Sequence, residues 1–179
     1  MKTAQGQQPT SSPYPRGARL EDFPGSARIW IFGTDRELDA GESEALLGAV
    51  DGFLRKWAAH GVPLRAARSW RHARFLIVAV DLERAPPSGC SIDALVHVLR
   101  DLEDRLGARF LGNEAVWYRD DTGAIRRASR PEFRELARRG GVTPESTVFD
   151  NSITALSELR AGRWEGPASE RWHAALLDR

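Results

Sequence analysis

The densest run of chemically capable side chains is Ser88-Gly-Cys-Ser-Ile-Asp-Ala-Leu-Val-His97, which holds the chain's single cysteine. If the run is helical, each residue advances about 100°, so Cys90 and His97 point within ~20° of the same direction. Asp93 and His97 are i, i+4 neighbours, and Asp101 extends the stripe. The leucines fall on the opposite side. Cys90, Asp93 and His97 are therefore expected to form a polar ridge facing away from the core. A cysteine in the first turn of a helix meets free N–H groups and the positive end of the dipole, and both favour thiolate. Cys90 would then be a nucleophile, with a histidine as base and an aspartate to orient it. Helix rise limits this reading, because seven residues climb about 10 Å, too far for a direct Cys90–His97 hydrogen bond. The base would come from His60 or His173, with Asp81, just ahead of the Cys90 loop, as a further carboxylate. The structural alternative is that Cys90 packs, Asp93 complements the dipole, His97 is solvated, His60 ends a helix and Asp81 forms a turn.

Pro87-Ser-Gly-Cys-Ser91 is similar to the phosphate loop of ABC-type ATPases. The similarity stops where the chemistry starts. No lysine follows to contact the β- and γ-phosphates, and Gly-Lys-Ser/Thr occurs nowhere in the chain, so nucleotide hydrolysis of that type is excluded. Anion binding by the backbone around Ser88, Gly89 and Ser91 is still allowed, since N–H groups at a helix start suffice for it. Four histidines and one cysteine, scattered singly, show no metal-ligand spacing. A composite zinc site would need His60, Cys90, His97 and His173 together. No metal and no cofactor are expected.

These side chains need a scaffold, and hydrophobic periodicity supplies one. Residues 28–32 read as a strand. Thr34 or Asp35 is the expected cap of a helix carrying Leu46, Val50, Phe53, Leu54 and Trp57 at i, i+4, i+7, i+8 and i+11, with Gly61 as its stop. Residues 64–70 are a second strand, 71–73 a turn, and 74–81 the most apolar strand, expected at the sheet centre. Ser91 is the expected cap of a second helix, buried through Ile92, Leu95, Val96, Leu99, Leu102 and Leu106 and ended by Gly107. Residues 114–118 are the expected fourth strand. The order βαββαβ is the split βαβ, ferredoxin-like α+β arrangement: one antiparallel sheet with two helices on one face. Beyond it, Ser129 and Pro131 open a third helix, residues 147–149 form a strand, Leu156 and Leu159 suggest a helical turn, and Trp164, Pro167 and Trp172 punctuate the end. The expected organisation is a disordered tail over residues 1–26, the ferredoxin-like domain over 27–119 and a small C-terminal α/β module over 120–179.

The 179 residues carry 26 basic and 25 acidic side chains, a net charge of +1 that gives no global drive toward nucleic acid or an anionic membrane. All basic residues but Lys2 and Lys56 are arginine. Arg126, Arg127, Arg130, Arg134, Arg138 and Arg139 cluster locally, but Glu132 and Glu135 interrupt them, and a solvated face is preferred to an RNA contact. One cysteine excludes an internal disulfide, and no apolar run approaches the ~18 residues of a membrane helix. With no apolar leader and a free thiol, the expected compartment is the cytoplasm.

On Trp30, Trp57-Ala-Ala-His-Gly61, Arg74-Phe75 running to Asp81, Ser88-Gly-Cys-Ser-Ile-Asp93 with His97, Thr147-Val-Phe149 with Asn151, and Trp164, Pro167, Ser169 and Trp172-His173, the chain resembles a family of small bacterial proteins often labelled "ABC transporter ATPase". The resemblance runs from about Arg28 to the C-terminus. Ala58 stands where the family usually has Thr, Asp150 where it usually has Asn, and the long N-terminal tail departs from its pattern. The resemblance implies no activity, and the phosphate-loop look-alike accounts for the label. Two functions therefore stand side by side. One is a non-enzymatic module that binds a protein or small ligand through the Cys90/Asp93/His97 ridge and Trp164, Trp172 and His173. The other is a thiol-dependent hydrolase or transferase with Cys90 as nucleophile. A homodimer through the open face of the sheet is a further expectation.

Overall fold

The computed structural model describes residues 18–111 and 114–177. The first part of the chain contributes β1 (Arg28–Thr34), α1 (Ala40–Leu54), the short strands β2 (Ala58–Ala59) and β3 (Val62–Pro63), β4 (Ala66–Arg71), β5 (Phe75–Val80), α2 (Gly89–Leu106) and β6 (Phe110–Leu111). The second part contributes β7 (Val116–Arg119), β8 (Ile125–Ala128), α3 (Arg130–Arg138), β9 (Thr147–Phe149), α4 (Leu156–Arg160) and β10 (Glu165–Pro167), then 3-10 turns at Ala168–Glu170 and Trp172–Leu176. One antiparallel sheet has the order β4-β5-β1-β6, a second has the order β10-β9-β7-β8, and β2 pairs with β3. The class is α+β.

The two four-stranded sheets lie face to face. Alternation along β5 shows why: Phe75, Ile77 and Ala79 point to one side and Leu76, Val78 and Val80 to the other, and all six are buried. The first set joins Ile29 and Ile31 of β1 against Trp117, Ile125 and Phe149 of the second sheet and Trp164 just before β10. The second set packs under Leu46 and Val50 of α1 and Leu95, Leu99 and Leu102 of α2. A third core, with Val116, Tyr118 and Val148 below Phe133, Val142 and Leu176, covers the outer face of the second sheet. The result is four layers: helices, sheet, sheet, helix with turns. The face expected to be open for a dimer is covered by the protein's own C-terminal half.

Several sequence expectations need correction. The fourth strand of the first sheet is β6, whose Phe110 and Leu111 pair with Thr34 and Gly33. Val116–Arg119 instead enters the second sheet, so the expected boundary after residue 119 falls within that sheet, between β7 and β8. The cap of α1 is Asp39, whose carboxylate accepts from Glu42 N at 2.8 Å while Glu42 accepts from Asp39 N at 2.9 Å. Thr34 cannot cap because it continues β1, and its buried hydroxyl bonds the carbonyls of Arg36 and Arg74. Asp35 accepts from Arg109 N instead. Trp57 lies past the end of α1, and Gly61 with φ +79° turns β2 into β3 rather than stopping a helix. Ser88, not Ser91, caps α2.

Residues 1–17 of the expected tail lie outside the described residues, but 18–26 are ordered against the core. Leu20–Asp22 is a 3-10 turn, with Leu20 and Phe23 buried. Two arginines hold it. Arg160 Nη2 donates to the carbonyls of Leu20, Glu21 and Phe23 at 2.9, 3.3 and 2.7 Å. Arg65 lies over the Phe23 ring at 4.4 Å and donates to Asp22 O.

Gly33 sets the spacing between the sheets. A Cβ there would sit 2.5 Å from the Trp117 ring and 3.1 Å from Phe75. Gly33→Ala should therefore displace a buried indole and cost about 1–3 kcal/mol. Urea unfolding checks this, and an unchanged midpoint would refute the close-approach account.

Candidate functional site

The ridge read from the sequence exists as a direction and not as a site. Cys90 is the second residue of α2, and Cys90, Asp93 and His97 are all exposed. His97 Nδ1 donates to the backbone carbonyl of Asp93 at 2.7 Å, not to its carboxylate. Among the described residues no hydrogen bond reaches Cys90 Sγ. Ser88 and Ser91 are engaged in the capping box: Ser88 Oγ accepts from Ser91 N at 3.2 Å, and Ser91 Oγ accepts from Ser88 N at 2.8 Å. Gly89 is exposed, and Ser91 O accepts from the buried Trp57 Nε1 at 2.8 Å. The motif thus ties the start of α2 to the residue that follows α1.

The supporting groups expected for Cys90 do other work. Asp81 is buried and pairs with Arg65 at 2.7 Å, with Glu83 N on its other oxygen at 3.0 Å. Burial pushes its carboxyl up, but these two partners bring it below its ordinary value. It fixes the arginine that clasps the N-terminal segment. His60 is exposed in the β2–β3 turn with φ +50°. His173 is in the third core against Phe133, on the far side of both sheets from the helix layer. No composite zinc site forms, and no His, Cys, Asp or Glu group fit for a metal occurs among the described residues.

A different constellation gathers in the C-terminal half. A cleft of about 590 Å³ is lined by Asp150, Glu158, Arg163, Glu170, Arg171 and Trp172, with Ile153, Ala161 and Gly162, a volume suited to a small ligand. Residues from four places in the chain meet here: the loop after β9, α4, the loop before β10, and the two last 3-10 turns. Asp150 is 8 % exposed. Its backbone N–H donates to Trp164 O, and its Oδ1 accepts from Ser152 N, Ser152 Oγ and Trp172 Nε1. Asn151 Oδ1 accepts from Trp164 Nε1 at 3.0 Å. Trp164 is buried, so it supports the wall rather than offering a surface. The Trp172 ring meets the Arg130 guanidinium at 4.8 Å and the stacked His173 ring at 4.0 Å.

The cleft is also where polar groups go unpaired. Arg171 donates to Gly162 O and Glu170 O, crossing Gly166 so closely that a Cβ there would lie 2.5 Å from Nη2. Its only carboxylate partner among the described residues, Glu170, is 3.4 Å away, and its Nε is buried with no acceptor. Asn151 Nδ2 and both ring nitrogens of His173 are likewise buried without partners. Native proteins leave few such groups; of these three residues Arg171 lines the cleft, while Asn151 and His173 stand next in sequence to its lining residues Asp150 and Trp172.

The late tryptophans and His173 were legible as a group from the sequence. Asp150, Arg163 and Arg171 were missed, because nothing in their local spacing says that residues 150, 163 and 171 meet. The arginine cluster is largely engaged: Arg126 with Asp120, Arg138 and Arg139 with Glu135, and Arg130 with Trp172. No helix among the described residues is long and apolar enough to cross a membrane. Compared with known proteins, the chain matches no family model, no curated protein and no solved structure.

His173 links this site to pH. Burial, reinforced by Arg171 and Arg130 against the opposing charge of Asp150, pushes it down to about 4 from 6.5. The folded state keeps it neutral, whereas the unfolded chain takes a proton below about 6.5. Its contribution to stability is thus complete above that value and falls as pH drops toward 4. Between pH 7 and 5 the loss should be about 2 kcal/mol. Glu42 and Asp120, held at about 2, titrate below that window. Chemical unfolding at the two pH values checks the loss, and His173→Leu should remove most of it.

Proposed function

We propose that the protein is a non-enzymatic module that binds a small polar ligand in the cleft of Asp150, Arg171 and Trp172. The observation that carries this reading is Arg171, a nearly buried cation on the cleft wall whose Nε lacks an acceptor. A carboxylate with one oxygen outside its hydrogen-bond set, two guanidiniums and an indole suit a ligand that carries both charges, such as a free amino acid. Of the surface expected from the sequence this reading keeps Trp172 and leaves out the Cys90 ridge, which belongs to the helix layer on the other side of the first sheet. The thiol-dependent reading is the weaker, since no base among the described residues addresses the sulfur.

We take β1-α1-β4-β5-α2-β6 as a split βαβ, ferredoxin-like unit. The order β4-β5-β1-β6, with the first and third long strands adjacent and antiparallel, supports it. The bacterial family named above is the proposed kinship. An exposed free thiol at Cys90 fits a reducing cytoplasm. Neither nucleic acid nor a membrane is part of the proposal.

Titration with glycine, arginine or glutamate as probes, followed by ¹H–¹⁵N spectra, tests the site. At least one probe at millimolar concentration should shift the Trp172 indole N–H saturably. Asp150→Asn keeps an acceptor oxygen for Ser152 and Trp172 but removes the charge, and should weaken that probe several-fold. Shifts confined to Cys90, Asp93 and His97, or none at Trp172, would refute the cleft as the recognition surface.

A further inference from the structure

The turn from β4 to β5 carries a buried cation that no carboxylate of the described residues contacts. Arg74 is 8 % exposed, and it forms no ion pair among them. Its Nη1 donates to Ile125 O at 3.3 Å, and its Nε is buried with no acceptor. Asp35 and Glu37 supply the opposing charge in its surroundings, while Arg126 and Arg127 add to the positive field. A guanidinium does not lose its proton in proteins, so burial cannot be relieved by neutralisation. A water molecule could accept a hydrogen bond there, but it would bring no charge to the guanidinium.

A second donor is unpaired in the same neighbourhood. Trp117 Nε1 is buried without an acceptor, and its ring lies over Gly33. Gly33 pairs with Phe75, the residue after Arg74, and Thr34 donates its N–H to Arg74 O at 2.8 Å. Arg74 is held in place by a two-residue turn in which His72 and Ala73 take φ of +56° and +49°, conformations that neither residue favours. Two buried donors, one of them charged, thus lack an acceptor where the two sheets join.

We infer that Arg74 is the centre of an anion site that takes an oxyanion, phosphate or carboxylate, with the Trp117 indole N–H as its second donor. The site is separate from the Asp150 cleft and does not depend on it.

Thermal unfolding of the full chain in an anion-poor zwitterionic buffer tests it, with wild type, Arg74→Met and Arg71→Gln as a neighbouring control. Phosphate should raise the melting temperature saturably in wild type and in Arg71→Gln. In Arg74→Met the apparent phosphate affinity should fall at least tenfold. Without added anion, Arg74→Met should melt above wild type, because removing a buried charge relieves a cost. Glycerol phosphate and acetate identify the source: tighter binding of the ester points to the headgroup of a larger ligand, and preference for acetate points to a carboxylate. The proposal is overturned if none of the three gives a saturable rise, or if chloride does as well. It is also overturned if Arg74→Met responds like wild type or melts lower without anion. Should Arg74→Met fail to fold, Arg74→Lys and the Trp117 indole N–H signal decide. Loss of the phosphate response in Arg74→Lys, with a phosphate-induced shift in wild type, supports the site, and absence of either refutes it.

Discussion

Phe75 is the point on which both halves of the molecule close. Its ring stacks on Phe149 at 4.9 Å and meets Trp164 at 5.2 Å and Trp117 at 5.8 Å, so one side chain of the first sheet touches three strands or loops of the second. Deleting a buried aromatic of this kind typically costs about 3–5 kcal/mol. The spacing it demands explains other choices nearby. Gly33, opposite Phe75 in β1, has no side chain because the Trp117 ring needs that volume. His72, one turn away, lies nearly parallel to Trp164 and within 3.2 Å of Glu165, which Arg119 holds from the other side. The C-terminal half is thus the second wall of one core, not an appendage packed on a finished domain.

This joint also explains what could and could not be seen in the sequence. β5 was legible because six apolar residues in a row fit a strand buried on both faces. α2 was legible because its leucines keep a helical period for about three turns, and the same wheel placed Cys90, Asp93 and His97 on the solvent side. The second sheet was not legible. Val116–Arg119 looks like any short apolar strand, and its pairing with β8 and β9 rather than β1 depends on contacts far along the chain. The ordered start at residues 18–26 was hidden for the same reason. Composition there suggests a tail, but Arg65 and Arg160, contributed from distant elements, fix its carbonyls. The Asp150 cleft is the extreme case, since its walls are loops and short turns with no period at all.

Arginine usage ties these points together. A guanidinium offers five donors in a planar fork, so one side chain can bridge a carboxylate and a backbone carbonyl or several carbonyls at once. Arg36 joins Glu42 to Leu106 O, Arg65 joins Asp81 to Asp22 O, and Arg160 gathers three carbonyls of the first turn. These bridges sit where elements distant in sequence meet and where short strands leave carbonyls unpaired. A lysine could supply the charge at each place but not the geometry. The predominance of arginine, first read only as composition, coincides with the way this fold fastens its ends.

Against that pattern two arginines differ, and the difference is chemical. Arg65 and Arg36 are as well placed as a cation can be, each with a carboxylate at 2.7 Å or less. Arg171 and Arg74 are more deeply enclosed than either, yet the first has only a 3.4 Å carboxylate and the second has no ion pair among the described residues. Packing alone does not require this, because an apolar side chain of similar length would fill either space without the desolvation penalty. A chain that satisfies its other bridging guanidiniums so fully, and leaves unpaired donors on two enclosed ones, has acceptors still to come at both positions. The exposed thiol of Cys90 has no such demand around it. Recognition is therefore assigned to the enclosed arginines and not to the exposed Cys90 motif.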